Sequence, residues 1–186
     1  MKEKIMPPLV LTVICAVISA LLALAYNATY VDLTGVMTDE MKQGCKNIFG
    51  DGKYSILTEE KDGKKIPVTF GNDKINSIIV DPDIKACIIE ITEDGYAKDG
   101  LHLLVGIDES GSVKGIEFLS IGETPGLGTK VQDEKFLSKF TGLTSEDNTA
   151  AIDNVTAATF SSKGMKNAVS ECLELYSENK EAILGE

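Results

Sequence analysis

Hydrophobic positions follow three regimes along this chain. From Pro7 to Ala25 they run almost unbroken, PPLVLTVICAVISALLALA, with no charge among them. At about 1.5 Å rise per residue that run matches a hydrocarbon core of roughly 30 Å, so it predicts one membrane-crossing helix. Further on, short β-branched stretches alternate with turn residues. Ile75 to Val80 is closed by Asp81-Pro82-Asp83, and Ala86 to Thr92 has the composition of a strand. Gly100 to Ile107 and Ser112 to Leu119 flank Asp108-Glu109-Ser110-Gly111 and predict a hairpin. In the third regime Met165, Ala168, Val169, Cys172, Leu173 and Tyr176 recur at helical spacing, which predicts an amphipathic helix over Ser162 to Lys180. Gln132 to Phe140 reads as a short helix. Strands followed by helices, without βαβ alternation, predict an α+β class: an antiparallel sheet with packed helices, preceded by one N-terminal transmembrane helix. The expected division is a cytoplasmic N-terminus and anchor over 1–26, a juxtamembrane connection leading into a short helix over 27–45, and an extracytoplasmic domain over 46–186.

Charge orients the anchor. Lys2, Lys4 and the amino terminus precede it, whereas Asp32, Asp39 and Glu40 follow it and no basic residue appears before Lys42. The positive-inside rule then predicts a single-pass protein of the cell membrane, with its N-terminus cytoplasmic and its domain outside. Tyr26 and Tyr30 fall where interfacial aromatics settle. Ala23-Leu24-Ala25 resembles a signal-peptide cleavage site, but the apolar run is longer than a usual signal core, so a retained anchor is expected. Either reading exports the domain.

Composition removes several functions. The chain has 186 residues, 43% of them hydrophobic, a net charge of −11 and no Arg, with its Lys residues scattered. No concentrated basic face exists to hold nucleic acid or anionic lipid. Cys15, Cys45, Cys87 and Cys172 form no CxxC pair or Cys/His cluster, so no metal site is expected and the thiols read as free and buried. The lone histidine, His102, cannot build a Ser/His/Asp arrangement and reads as structural. Glu59-Glu60 and Asp108-Glu109 read as solvated turn charges.

Two loops carry candidate chemistry. Glu123-Thr124-Pro125-Gly126-Leu127-Gly128 combines a Pro-fixed turn with two glycines, which lets backbone approach a flat ligand while Leu127 lies against a ring face. An ordinary turn is the simpler reading of those residues alone. The second loop, Asp153 to Ser162, sets small residues and hydroxyls before a helix. Ser161 and Ser162 are candidate caps, and a phosphate on Thr159 would meet the positive end of the helix dipole. Capping hydroxyls without a ligand remain the plain alternative.

In this order and behind one anchor, the two loops resemble the FMN-binding subunits of the Rnf and Na⁺-translocating NADH:quinone reductase complexes. The pattern in that family is Asp, two residues, Ser/Thr, Gly, Ala, Thr, any residue, then Ser/Thr. Asp153, Thr156, Ala158, Thr159 and Ser161 match it, and Glu123 to Gly128 match the family's ETPGLG loop in full. The resemblance implies FMN held covalently to Thr159 through its phosphate, as a phosphoester threonine. It implies cofactor contacts from Glu123, Thr124, Gly126, Leu127, Gly128, Thr156 and Ala158. It further implies a flavin transferase that reads Asp153, Thr156, Ala158 and Ser161 during maturation, and no catalytic residue or metal ligand in this chain.

The function so implied is an electron carrier among other membrane subunits of a complex that moves electrons between ferredoxin and NAD⁺ and couples this to Na⁺ or H⁺ transport. Chain size leans toward the Rnf-type G subunit over the quinone-reductase C subunit. A stand-alone membrane-anchored flavodomain and a non-redox assembly module are the alternatives. Two positions depart from the family: Ala157 stands where Gly is usual, and Ile121 where many relatives carry His.

Overall fold

A computed structural model describes residues 2–29, 35–61 and 63–185, with side chains from residue 10 onward. The chain divides into two compact units, Met1–Leu33 and Thr34–Glu186. The first is a helix, α1 (Lys2–Thr29), whose segment Val10–Thr29 is long and apolar enough to cross a membrane. Tyr26 lies within α1, while Tyr30 and Asp32 lie outside the described residues.

The second unit begins with α2 (Asp39–Phe49). Thr38 caps it by accepting a hydrogen bond from the Met41 N–H at 3.2 Å, and Asp39 and Glu40 oppose the positive end of its dipole. Three short strands follow, β1 (Ser55–Ile56), β2 (Thr58–Lys61) and β3 (Lys64–Pro67). The main strands are β4 (Ile75–Asp81), β5 (Ala86–Glu93), β6 (Leu101–Ile107) and β7 (Val113–Ile121). They form an antiparallel sheet in the order β1-β4-β5-β6-β7, while β2 and β3 make a separate hairpin. After β7 come a short 3₁₀ turn (Gly128–Gln132), α3 (Glu134–Leu137), a second 3₁₀ turn (Thr149–Ala151) and α4 (Thr159–Leu184).

The antiparallel α+β architecture is the one the hydrophobic pattern predicts. Side chains alternate across each strand, and both faces of the sheet are covered. Ile78, Ile89, Ile91, Leu103 and Val105 pack with Met165, Val169, Cys172 and Tyr176 of α4. The opposite set, Ile79, Ile88 and Leu104, packs with Met41 and Cys45 of α2. The α4 face holds by far the larger buried cluster. At roughly 1.5–3 kcal/mol per fully buried aliphatic side chain, it dominates the core. Residues at the start of α4 therefore stand on a firmly held element.

Four details differ from the sequence reading. The helix expected from Ser162 begins at Thr159, because the apolar stripe that marks it starts only at Met165. Gln132 to Phe140 is not one helix: extended Asp133 (φ −61°, ψ 131°) separates the 3₁₀ turn from α3, and Val131, Phe136 and Phe140 all reach the core. Glu59 and Glu60 lie on the exposed strand β2, not in a turn. The strands β1 to β3 carry too few apolar positions to declare themselves. Cys45, Cys87 and Cys172 are free and buried; burial pushes the Cys45 thiol up to about 12 and raises the other two.

His102 is structural. Its Nε2 lies 2.8 Å from Glu90 Oε1, and Ser77 Oγ donates to Glu90 Oε2 at 2.5 Å. Burial pushes the Glu90 carboxyl up, but hydrogen bonds from His102, Ser77 and Asn76 outweigh it and hold the carboxyl below its ordinary value of 4.5. A carboxyl with a depressed folded pKa stabilises above its unfolded pKa, and that contribution fades as pH falls through the folded value. Glu90→Gln should therefore cost about 1–3 kcal/mol near neutral pH. In thermal melts the gap to wild type should close below pH 4.5; a gap that persists unchanged into acid contradicts this.

Candidate functional site

The ETPGLG loop follows β7 directly. Its turn is the one its residues dictate: Pro125 fixes the entry, Gly126 takes φ +74°, and the Leu127 N–H closes the turn on the Thr124 carbonyl at 3.2 Å. Thr129 Oγ1 then accepts from the Gly126 N–H at 2.9 Å. Leu127 is left exposed. At the head of the loop Glu123 turns inward and is only 4% exposed. Its carboxylate accepts from the Tyr96 N–H at 3.1 Å, the Ala97 N–H at 3.0 Å and the Ser161 hydroxyl. A side chain at Gly100 or Gly128 would place a Cβ 2.6 Å from this carboxylate, so both positions are kept bare for it.

The loop from Asp94 to Asp99, which joins β5 to β6, is thereby drawn into the site. Sequence reasoning assigned it no role. The available signal was Tyr96 set between Gly95 and Gly100, an aromatic in a turn with no core position to fill.

The third wall is the start of α4. Thr159 is its first residue, exposed, and its hydroxyl makes no hydrogen bond among the described residues. No side chain caps this helix, and no acidic residue occupies its first turn. The backbone N–H groups there and the positive end of the dipole are thus open to an anion. Ser161 and Ser162 are not the caps that the sequence predicts. They lie inside the first turn, where Ser161 donates to Glu123 and Ser162 Oγ accepts from the Val155 N–H at 2.9 Å.

These walls enclose a cavity of about 470 Å³ lined by Tyr96, Glu123, Thr124, Leu127, Gly128 and residues 157–161. That is within the range of ligand sites, roughly 300–1,000 Å³. The structure therefore brings Glu123, Thr124, Leu127, Gly128, Ala158 and Thr159 to one place. Gly126 shapes the turn, while Thr156 and Asp153 lie outside the lining, both exposed. Ala158 and Ser161 are buried. No group of His, Cys, Asp and Glu with metal-binding geometry occurs among the described residues.

The segments that line this cavity all fall within residues 95–174, and those residues match the model of the FMN-binding domain family. The chain is, further, similar to the G subunits of ion-translocating oxidoreductase complexes. The protein of that name from Methanosarcina acetivorans is 27% identical over 90% of this chain and 91% of its own length. The one from Shewanella piezotolerans is 32% identical over 54% of this chain and 53% of its own. A solved structure, the C subunit of the Na⁺-translocating NADH-quinone reductase from Parabacteroides distasonis, aligns over 66% of this chain and 75% of that one, with 18% identity. Its TM-score of 0.43 is too low to carry an argument. The resemblance read from the two loops is borne out by the family match and the G-subunit relatives.

The residues present fit FMN. The cavity is of ligand size with a largely apolar lining, and an uncapped helix start suits a phosphate. Among the residues lining the cavity, Ala157 is the one non-glycine with a positive φ. Its φ is +64°, in the left-handed region where a methyl group is unfavourable. The position is exposed, so its methyl gains little by packing. Ala157→Gly should stabilise the domain by about 0.5–1 kcal/mol, net of the extra chain entropy of glycine. Thermal unfolding reads this as a higher midpoint, and an unchanged or lower midpoint contradicts it.

Proposed function

We propose that this chain is a membrane-anchored electron-carrier subunit that holds FMN covalently at Thr159. The observation that carries the reading is an exposed, unbonded Thr159 hydroxyl at the uncapped start of α4, on the wall of a cavity shared with the ETPGLG loop. When bound, the flavin supplies reversible uptake and release of electrons; the protein supplies attachment, orientation and exclusion of water. The ester forms as Thr159 Oγ bonds to the phosphorus of a flavin phosphoanhydride. The anhydride P–O bond breaks, the other phosphate half departs with the electron pair, and the hydroxyl proton goes to solvent.

Glu123, Thr124, Leu127, Gly128 and Ala158 hold the cofactor, with Gly126 shaping the turn and Thr156 flanking the attachment point. A flavin transferase reads the segment from Asp153 through Thr156 and Ala158 to Ser161. Because Ala158 and Ser161 are buried, that enzyme acts on a chain whose first α4 turn is open. The positive-inside bias supports residues 1–26 as a cytoplasmic N-terminus and anchor, with the 27–45 connection and the 46–186 domain both outside; α2, which straddles that boundary, packs on the sheet and goes with the domain. On that side of the membrane little free FMN is available, which gives a covalent bond its use. By likeness to the G-subunit proteins, the carrier works among other membrane subunits of an Rnf-type ferredoxin:NAD⁺ oxidoreductase that couples electron flow to Na⁺ or H⁺ transport.

The test is denaturing electrophoresis of the full-length protein made together with a flavin transferase. Flavin fluorescence should migrate with the wild-type polypeptide and vanish completely in Thr159→Ala. Fluorescence retained by that variant, or none in wild type, contradicts the reading.

A further inference from the structure

Outside α1, six large apolar side chains are exposed among the described residues: Val36, Phe70, Ile84, Tyr96, Leu127 and Phe160. Three of them line the same cavity, and the two aromatic members are the most open, Tyr96 at 74% and Phe160 at 62%. Apolar surface gathered at one cavity marks a binding site, whereas the same residues scattered singly would need no explanation. Their rings meet edge to face, with centroids 6.2 Å apart and planes inclined at 65°. Two aromatic rings so inclined make a corner.

The corner is fixed from below. The Tyr96 N–H donates to Glu123, and Ser161, the neighbour of Phe160, donates to the same carboxylate. Backbone on both sides is thus held by one buried group, so the corner is built before any ligand arrives. Glu123 is also the one charged residue among those lining the cavity, and three donors already occupy its carboxylate. Away from the open start of α4 and the threonine hydroxyls, what remains to recognise a ligand is flat, apolar and aromatic surface. That chemistry suits a fused planar ring.

We infer that Tyr96 and Phe160 form an aromatic corner that receives the isoalloxazine ring of the flavin. This rests on the reading that the flavin is tethered at Thr159, the residue next to Phe160. The corner assigns a job to the Asp94–Asp99 loop, which neither flavin motif contains. Both side chains are exposed, so replacing them removes ring contact without hollowing the core.

The experiment compares wild type with Tyr96→Leu and Phe160→Leu, each full length and carrying flavin on Thr159. Flavin emission yield and reduction midpoint potential are the readouts. Tyrosine quenches flavin emission on contact, so Tyr96→Leu should brighten the attached flavin severalfold. Either substitution should shift the potential while the amount of covalent flavin stays the same. Attached flavin whose emission and potential are unchanged in both variants overturns the corner. If wild type carries no covalent flavin, the Thr159 reading fails separately, and titration of free FMN decides the corner. Saturable quenching that is lost in both variants supports it, and no quenching by wild type overturns it. Faster sedimentation of wild type than of both variants, without a flavin effect, shows an interface between copies instead and also overturns it.

Discussion

The buried Glu123 carboxylate is the constraint on which the site depends. Burying such a group is costly unless its oxygens are satisfied, and here two backbone N–H groups and one hydroxyl satisfy them. The three donors come from two segments far apart in sequence, the β5–β6 loop and the first turn of α4. Glu123 itself belongs to a third, the loop after β7. To meet its own hydrogen-bonding need, the carboxyl must draw all three together, and the cavity is the space left between them. The glycines around it serve the same end, since side chains at Gly100 or Gly128 would occupy the carboxylate's position.

That arrangement rests on the core in an orderly way. The large cluster between the sheet and α4 sets the helix axis, so the first turn is presented at a fixed height above the strand ends. Thr159 then has a rigid base but a free hydroxyl, the combination an attachment residue needs. The left-handed Ala157 shortly before it bends the chain sharply into the helix. Strain here is local and does not reach the core.

Much of this was legible in the sequence. Strands β4 to β7 declared themselves through β-branched runs and turn residues, and α4 through its apolar period. The two loops were visible as motifs because Pro, Gly and small residues mark backbone that must turn or lie close to something. What could not be read was pairing at a distance. Nothing local to Ser161 says that its hydroxyl serves Glu123 and not the helix end. Nothing local to Tyr96 says that its loop forms the third wall. The second fact follows from the antiparallel order, which sets the β5–β6 loop beside the end of β7, with Gly122 N–H bonded to the Gly100 carbonyl at 2.8 Å, and the first from the packing of α4 on that sheet. The early start of α4 was hidden for a different reason: its first turn faces the cavity and not the core, so no apolar period marks it.

The claim that one carboxylate assembles the site is tested most directly by amide hydrogen exchange on Glu123→Ala. The account predicts that protection falls together at Tyr96 and Ala97 and at the first bonded amides of α4, beginning with Ser162, whose N–H donates to the Ala158 carbonyl, while the sheet and the rest of α4 keep theirs. Exchange that changes only within residues 123–128, leaving the other two segments as protected as in wild type, would contradict it.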